Sequence, residues 1–254
     1  MGRVCVGISG WHYAGWRGDF YPASLAQREE LSYAAERLGS IESNGTFYRL
    51  QKPDSWSASL RANEERLDGF LDMLPKDFTA AAELAREHDH RVPEPVMDFD
   101  ANRRVRHALD IRHPSWFTPE VVRIARRHGV ALVVSSAAEW EYTDELTAGF
   151  VYLRMHGSEE TYTSRHSDRE LNRLAERIRA WVEGGEPEDA ARITDLTPPR
   201  RKSRDVYVYF DNDRKVHAPR DALRLQERLV SSWPDHLTVA DGSELNSGMT
   251  DKRR

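Results

Sequence analysis

Short apolar runs alternate with amphipathic segments along most of the chain. Runs rich in Val, Ile, Leu and Tyr predict six strands, at 3–9, 40–47, 107–112, 130–136, 150–156 and 205–211. Apolar positions three and four residues apart predict helices at 25–38, 65–87, 118–129, 167–185 and 218–233. Strands and helices in this order predict right-handed crossovers and a parallel sheet, either closed into a barrel or open and doubly wound.

Two observations favour the barrel. Neither a Gly-x-Gly-x-x-Gly segment nor a P-loop follows the first strand, which weakens the nucleotide-binding, doubly wound alternative. Polar and aromatic residues follow successive strands, and active sites of (β/α) barrels lie at those carboxyl ends. We therefore predict an α/β, TIM-barrel-like domain over residues 1–233, with a loop insertion at 183–204 and a polar tail at 234–254.

Composition narrows the class of protein. The 254 residues carry a net charge of −5, so the whole molecule offers no basic surface for nucleic acid, although basic clusters occur at 103–106 and 200–204. The second cluster is typical of a solvated loop. No run approaches the roughly 18 apolar residues of a membrane span, and Met1 leads directly into the first strand, so we expect a cytoplasmic protein without membrane contact. The single cysteine, Cys5, excludes an internal disulfide and a multi-thiolate metal site.

The strand ends supply groups suited to acid–base catalysis. Such catalysis needs carboxylates near an imidazole or near each other, so that their environments separate their pKa values. We therefore take as candidate catalytic residues Glu42, Asp110, His113 and His156. No His-x-x-x-His spacing supports a metal, and no cofactor is indicated. Ser135 lacks the context of a nucleophile elbow.

Several arginines and aromatic residues suggest substrate binding. A guanidinium recognises phosphate or carboxylate with two hydrogen bonds, so the expected partner is an anionic small molecule or a nucleic-acid-derived substrate. The candidate binding residues are Trp11, Arg17, Asn44, Tyr48, Arg112, Arg154, Asp211 and Asn212. Structural alternatives stay open: Arg112 could pair with Asp110 or Glu42 in a buried ion network, and the aromatic residues could pack the first loop over the barrel end.

These motifs also carry a family resemblance. The segments GISGWHYAGWRGDFYP, IESNGTFYRL, LDIRHPSWF, FVYLRMHG and DVYVYFDND resemble, in order, the YecE-like family, also called domain of unknown function 72. The resemblance implies a TIM-barrel-like fold with a polar pocket but no established reaction. A nucleic-acid or sugar-phosphate substrate is suggested for the family only by analogy with xylose-isomerase-like and endonuclease-IV-like barrels.

The chain departs from the family pattern after IESNGTFYRL. Family members continue with a helix, a strand ending in a Lys-Gly/Ala-Pro-Arg-like motif, another helix and a strand ending in a Gln-Leu-Pro-Pro-like motif. Residues 51–109 contain neither motif, which predicts an internal deletion of two βα units between residues 56 and 66. The shortened domain could be a rearranged smaller barrel, an oligomer that covers the open edges, or an unstable product. It could accordingly be an enzyme, or a non-catalytic or vestigial ligand-binding protein.

Overall fold

The computed structural model describes residues 2–43, 61–87, 97–137, 140–157, 161, 164–212, 214–232 and 238–239. The strands in these ranges are β1 (Arg3–Ser9), β2 (Ser40–Glu42), β3 (Ala108–Leu109), β4 (Ala131–Leu132), β5 (Val134–Ala137), β6 (Phe150–Gly157), β7 (Asp205–Phe210) and β8 (Thr238–Val239). The helices are α1 (Glu30–Ala35), α2 (Glu64–Met73), α3 (Phe78–Ala85), α4 (Pro119–His128), α5 (Asp168–Val182) and α6 (His217–Ser232). Short 3₁₀ turns occupy Ala14–Trp16, Gln27–Glu29, Pro114–Trp116 and Arg214–Val216.

Each predicted strand overlaps a strand of the structure, although several differ in length, and positions 44–47 of the strand predicted at 40–47 lie outside the described residues. The strand at 107–112 is reduced to the two residues of β3, and that at 130–136 is divided by Val133 into β4 and β5. The predicted helix 65–87 is two helices, because Pro75 forces the preceding Leu74 into an extended conformation with ψ of 133°. Asp77 then caps α3 by accepting from the Ala80 N–H at 2.9 Å.

Five parallel strands form the main sheet, in the order β2-β1-β7-β6-β5. A second parallel pair joins β3 to β4, and only Val133 separates β4 from β5, so β3 continues the same series. β8, in the segment predicted as a polar tail, pairs with the start of β1. The prediction of a mixed α/β fold with a parallel sheet is confirmed. In the described part of the chain, no pairing joins β2 to β3 and closes a barrel.

The two faces of the sheet differ in chemistry. On β6 and β7, Val151, Leu153, Val206 and Val208 belong to the main hydrophobic core, which also contains apolar residues of α5 and α6 such as Leu171, Ile178, Leu225 and Leu229. The alternate positions of the same strands carry Tyr152, Arg154, Tyr207 and Tyr209, because successive side chains of a strand point to opposite faces. The helices therefore cover an apolar face and leave an aromatic and polar face opposite.

Local sequence signals position the helices as expected. Ser167 caps α5 in a reciprocal capping box with Glu170, and Thr118 caps α4, whose first residue is Pro119. α4 ends at Gly129, which has a φ of 67°, a left-handed conformation that favours glycine.

The aromatic residues of the first loop serve mainly as packing. Trp16, Phe20 and Tyr21 are buried in the main core, and the rings of Trp16 and Phe20 meet edge to face with centroids 5.9 Å apart. For these three residues the structure favours the packing alternative.

The segment 183–204 is more firmly held than a solvated loop. Arg200, Arg201 and Lys202 are exposed, but Arg204 is buried. Its guanidinium donates to the carbonyl oxygens of Gly184 and Pro199, each at 2.5 Å. Interpreting the whole basic cluster as solvated is therefore wrong for Arg204, because backbone carbonyls replace its water.

Candidate functional site

Polar side chains from the carboxyl ends of several strands meet around the Arg154 guanidinium. Its Nη2 lies 2.9 Å from Asp211 Oδ2, 3.1 Å from Ser9 Oγ and 3.2 Å from Glu42 Oε2. Its Nη1 lies 3.4 Å from Asp110 Oδ2. Burial alone would lower the pKa of Arg154, but the carboxylates of Glu42, Asp211 and Asp110 raise it above its usual value. The guanidinium therefore stays charged and holds three carboxylates together.

We call this group, with its nearest neighbours, the carboxyl-end cluster. Its members are Ser9, Glu42, Asp110, Arg112, Arg154, His156 and Asp211.

Both oxygens of Glu42 are occupied by protein donors. Ser9 Oγ donates to Oε2, and the Tyr152 phenol donates to Oε1 at 2.5 Å. Burial, and secondly the adjacent Glu42 carboxylate, raise the pKa of Tyr152 above its usual value, so the phenol keeps its proton. Glu42 is thus fixed from β1 and β6 at once.

Asp110 differs because one of its oxygens is left over. Oδ2 accepts from Arg112 Nη2 at 3.0 Å and lies near Arg154, whereas Oδ1 is buried and has no hydrogen-bond partner among the described residues. The same holds for the Nε of Arg154. Buried polar atoms without partners are uncommon and costly, so this acceptor and this donor are suited to a ligand hydroxyl or water.

His156 lies behind the cluster. It is completely buried, and its Nδ1 is 3.1 Å from Asp211 Oδ2. The Trp140 ring meets the imidazole at a centroid distance of 4.8 Å, and the Arg112 guanidinium lies 4.0 Å from the centre of the same indole. Trp140 therefore connects the histidine to the arginine. Sequence reasoning missed it, although its position three residues after the end of β5 was a usable signal.

A cavity of about 670 Å³ extends from the cluster along the polar face of the sheet. Glu42, Asp110 and Arg154 lie at one end, and Arg3, Arg104 and Arg106 line the wall near the amino ends of the strands. Between them the lining residues are Phe78, Val105, Ala108, Val133, Phe150, Tyr152, Tyr207 and Tyr209. The tyrosines escaped sequence analysis because they lie within apolar runs, although their regular alternation with Val and Leu was a usable signal.

Two of the predicted site residues are engaged elsewhere. The Nδ1 of His113 accepts from the Ser115 N–H at 3.1 Å and caps the short Pro114–Trp116 turn. Arg17 forms an ion pair of 2.6 Å with the buried Glu30 and donates to the Leu25 carbonyl within the first loop. Neither side chain contacts Arg154 in the described structure.

Other predicted binding residues also lie apart from the cluster. Trp11 is partly exposed, and its backbone carbonyl accepts a hydrogen bond within the first loop. The side chain of Asn212 is buried and donates to Asp221 at 3.0 Å. Asn44 and Tyr48 lie outside the described residues. The structure thus brings together Glu42, Asp110, Arg112, Arg154, His156 and Asp211 of the predicted set.

In the described part of the chain, no group of three or more His, Cys, Asp and Glu side chains is placed to hold a metal ion. None of the described helices is both long enough and apolar enough to cross a membrane.

The fold and this cluster define an α/β protein with a polar site at the carboxyl ends of parallel strands. A family model described as "Protein of unknown function DUF72" matches residues 5–58 and 56–241. The chain belongs to this family, and the resemblance seen in its motifs is confirmed.

Solved structures agree at the level of the fold. A DUF72 family protein from Thermotoga maritima MSB8 is 20% identical, with a TM-score of 0.56 over 89% of this chain and 99% of that one. A DUF72 family protein from Enterococcus faecalis V583 is 12% identical, with a TM-score of 0.51 over 92% of this chain and 100% of that one. No functionally curated protein matches this chain significantly.

Proposed function

We propose that the strands form the arc of an incomplete (β/α) barrel that lacks two βα units between β2 and β3. The order β2-β1-β7-β6-β5, with β3 beyond β5, is the order that such an arc would have. The family match also divides into two stretches that meet at residues 56–58, where the sequence departs from the family pattern. The cavity then corresponds to the barrel interior, entered through the gap.

On this fold, the function that the geometry supports best is an enzyme that performs general acid–base chemistry on an anionic small molecule. The observation that carries the proposal is the buried Oδ1 of Asp110, which has no hydrogen-bond partner among the described residues and belongs to a residue that lines the cavity. In this reaction Asp110 Oδ1 takes a proton from a substrate hydroxyl or from water. The charged guanidiniums of Arg112 and Arg154 stabilise the negative charge that develops on the oxygen.

The remaining cluster residues act as positioning residues. Glu42 holds Arg154 in place and keeps it charged, with both of its own oxygens occupied. Asp211, which follows β7, also holds Arg154 in place by accepting from its Nη2. His156 contacts the same Asp211 oxygen and helps to position it.

Asp110→Asn tests the catalytic assignment. Purified protein would be incubated in D₂O with a panel of sugar phosphates and nucleoside monophosphates, and conversion followed by ¹H and ³¹P NMR. We expect the wild type to convert at least one member, and Asp110→Asn to slow that conversion by roughly 100- to 10,000-fold, the usual contribution of a general base. Asp98→Asn, the same change at an exposed position, should convert at the wild-type rate. Equal rates for Asp110→Asn and the wild type would exclude Asp110 as the base.

A second candidate function is ligand binding without catalysis. The charge balance within the cluster favours this alternative. Arg154 already forms ion pairs with three carboxylates, which stabilise the strand ends without a substrate. Saturable binding of a panel member, with no conversion of any member by the wild type, would select this alternative.

A further inference from the structure

We propose that the wall of the cavity near the amino ends of the strands, formed by Arg3, Arg104 and Arg106, binds the phosphate of a small phosphomonoester. The ring of this compound lies along the aromatic lining, and its hydroxyl groups reach Asp110. We call the three arginines the amino-end subsite. The inference rests on the proposed function, whose substrate class it narrows.

The amino-end subsite carries an excess of positive charge. Arg106 Nη1 donates to Asp205 Oδ2 at 2.7 Å and to the Tyr207 hydroxyl at 3.0 Å. In the described part of the chain, neither Arg3 nor Arg104 has its guanidinium in an ion pair with a carboxylate. Three guanidinium groups line this end of the cavity. The carboxylate of Asp205 accepts from Arg106, and that of Asp77, whose backbone pairs with Arg104, caps α3. A phosphate dianion would balance the remaining positive charge.

The carboxylate of Asp205 is firmly charged. Burial would raise the pKa of Asp205, but the backbone N–H of Arg3, at 2.9 Å, and the Arg106 guanidinium hold it below its ordinary value. Asp205 therefore orients the Arg106 guanidinium and leaves the other N–H donors of that guanidinium available to a ligand.

The opposite end of the cavity is unsuited to an anion. Arg112 and Arg154 are the cationic groups there, and the carboxylates of Glu42, Asp110 and Asp211 already surround Arg154. A phosphate bound there would be repelled by these carboxylates, whereas a ligand hydroxyl could donate to Asp110 Oδ1, which has no partner among the described residues. The charge distribution therefore orients the ligand, with phosphate towards Arg104 and hydroxyls towards Asp110.

Aromatic side chains connect the two ends. The Arg106 guanidinium lies 5.5 Å from the centre of the Phe150 ring and 5.9 Å from that of Tyr207. Tyr152 and Tyr209 form a second pair, with centroids 5.0 Å apart. These surfaces suit the face of a nucleobase or a sugar ring.

The dimensions suit one small molecule. Phe150 and Arg154 are four residues apart on β6, so the two ends are separated by roughly 13 Å at a rise of about 3.3 Å per residue. The volume of about 670 Å³ lies within the usual range for sites of small ligands. A mononucleotide or a sugar phosphate fits this description better than a polymer.

Calorimetric titration of the full chain with adenosine 5′-monophosphate, ribose 5-phosphate and adenosine tests the subsite. We expect saturable binding of at least one phosphate compound and binding of adenosine at least about tenfold weaker, since charge-assisted hydrogen bonds to phosphate are lost. Arg104→Gln, alone and combined with Arg3→Gln, should weaken phosphate binding by about tenfold or more. Arg103→Gln is the matched control, because this exposed neighbour does not line the cavity. It should bind as the wild type does.

Several outcomes would overturn the assignment. These are no saturable binding of either phosphate compound, equal affinity for adenosine and its monophosphate, an unchanged affinity in Arg104→Gln, or an equal loss in Arg103→Gln. Tighter binding of a 5′-phosphorylated oligonucleotide than of the mononucleotide would exclude a small-molecule ligand. Melting curves that match the wild type establish that each variant is folded.

The subsite and the proposed reaction can fail separately. If Asp110→Asn binds the phosphate compound with Arg104-dependent affinity but turns it over at the wild-type rate, the subsite stands and the catalytic assignment falls. If Asp110→Asn abolishes turnover while Arg104→Gln binds and reacts normally, the reaction stands and the subsite falls.

Discussion

The phenol of Tyr152 on β6 donates a 2.5 Å hydrogen bond to Glu42 on β2, although β7 and β1 lie between these two strands. In a flat sheet, three spacings of about 4.8 Å would hold the strands roughly 14 Å apart, with their side chains parallel. The contact therefore requires a strongly curved sheet whose polar side chains converge on the concave face. Because of this curvature, side chains from the carboxyl ends of five strands meet at one site.

Replacing Tyr152 by phenylalanine tests this contact. The change removes a hydrogen bond to a partly buried carboxylate while keeping the ring, and should lower the free energy of unfolding by about 1.5–3 kcal/mol. Urea denaturation measures the loss. Tyr33→Phe removes a hydroxyl that has no hydrogen-bond partner among the described residues and should change stability by less than about 0.5 kcal/mol. Equal midpoints for Tyr152→Phe and the wild type would show that the bond does not hold β2 to β6.

Arg154→Gln should destabilise the fold more strongly. The substitution leaves Glu42, Asp110 and Asp211 close together without their shared cation, and loss of one partner of a buried ion pair costs about 3–5 kcal/mol. Arg154→Lys should recover only part of this, because an ammonium lacks the fork that reaches several oxygens. Chemical denaturation provides the measurement.

The control for Arg154 is an exposed ion pair. Arg123 lies 2.9 Å from Glu120 on the surface of α4, and Arg123→Gln should cost less than about 1 kcal/mol. A cost for Arg154→Gln no larger than that of Arg123→Gln would contradict a central role for Arg154.

Much of the site could be predicted because one simple rule applies to it. In a parallel α/β sheet, residues at the carboxyl ends of strands gather at one edge, whatever their separation in sequence. Glu42, Asp110, Arg154, His156 and Asp211 follow this rule, and all of them lie around one point in the structure. The alternation of apolar and amphipathic segments similarly predicts the parallel sheet.

The remainder depends on information that no linear pattern contains. His113 also follows a strand, but Pro114 begins a 3₁₀ turn directly after it, and the imidazole caps that turn at Ser115 instead. Tyr152 and Tyr209 alternate with Val and Leu, which indicates a shared face of the sheet but not whether that face meets the helices or is the concave side. Only the curvature of the sheet makes that concave face a site.

The buried His166 should make stability depend on pH. Its backbone N–H donates to Asp221, its carbonyl accepts from Arg224, and its ring packs against Phe210. Burial lowers the pKa of His166 below 6.5; Asp221 opposes this shift, whereas Arg224 and His217 add to it. The folded protein therefore favours the neutral imidazole.

The sign of the pH effect follows from the uptake of protons. As the pH falls below about 6.5, the unfolded chain binds a proton at this histidine before the folded protein does, so the folded state loses stability. From pH 7.5 down to the pKa of His166 in the folded protein, the free energy of unfolding of the wild type should fall faster than that of His166→Gln. The difference between the two slopes should reach at most about 1.4 kcal/mol per pH unit. Denaturation curves at several pH values give both slopes, and parallel slopes would refute the prediction.

Glu145→Ala should release the segment 183–204. The buried carboxylate accepts from Arg126 Nη2 at 2.6 Å, from the Ile193 N–H at 2.9 Å and from the Thr194 N–H at 3.0 Å. Its loss leaves a half-buried cation and two backbone donors without their acceptor, which should cost about 3–5 kcal/mol.

Limited trypsin digestion detects this release, because Arg200, Arg201 and Lys202 lie exposed near the end of the segment. We expect faster cleavage there in Glu145→Ala, since local opening exposes backbone to the protease. Glu141→Ala, an exposed acidic residue nearby, should be cleaved at the wild-type rate. Equal rates of cleavage in the two variants would contradict the proposal that the hydrogen bonds accepted by Glu145 order the segment.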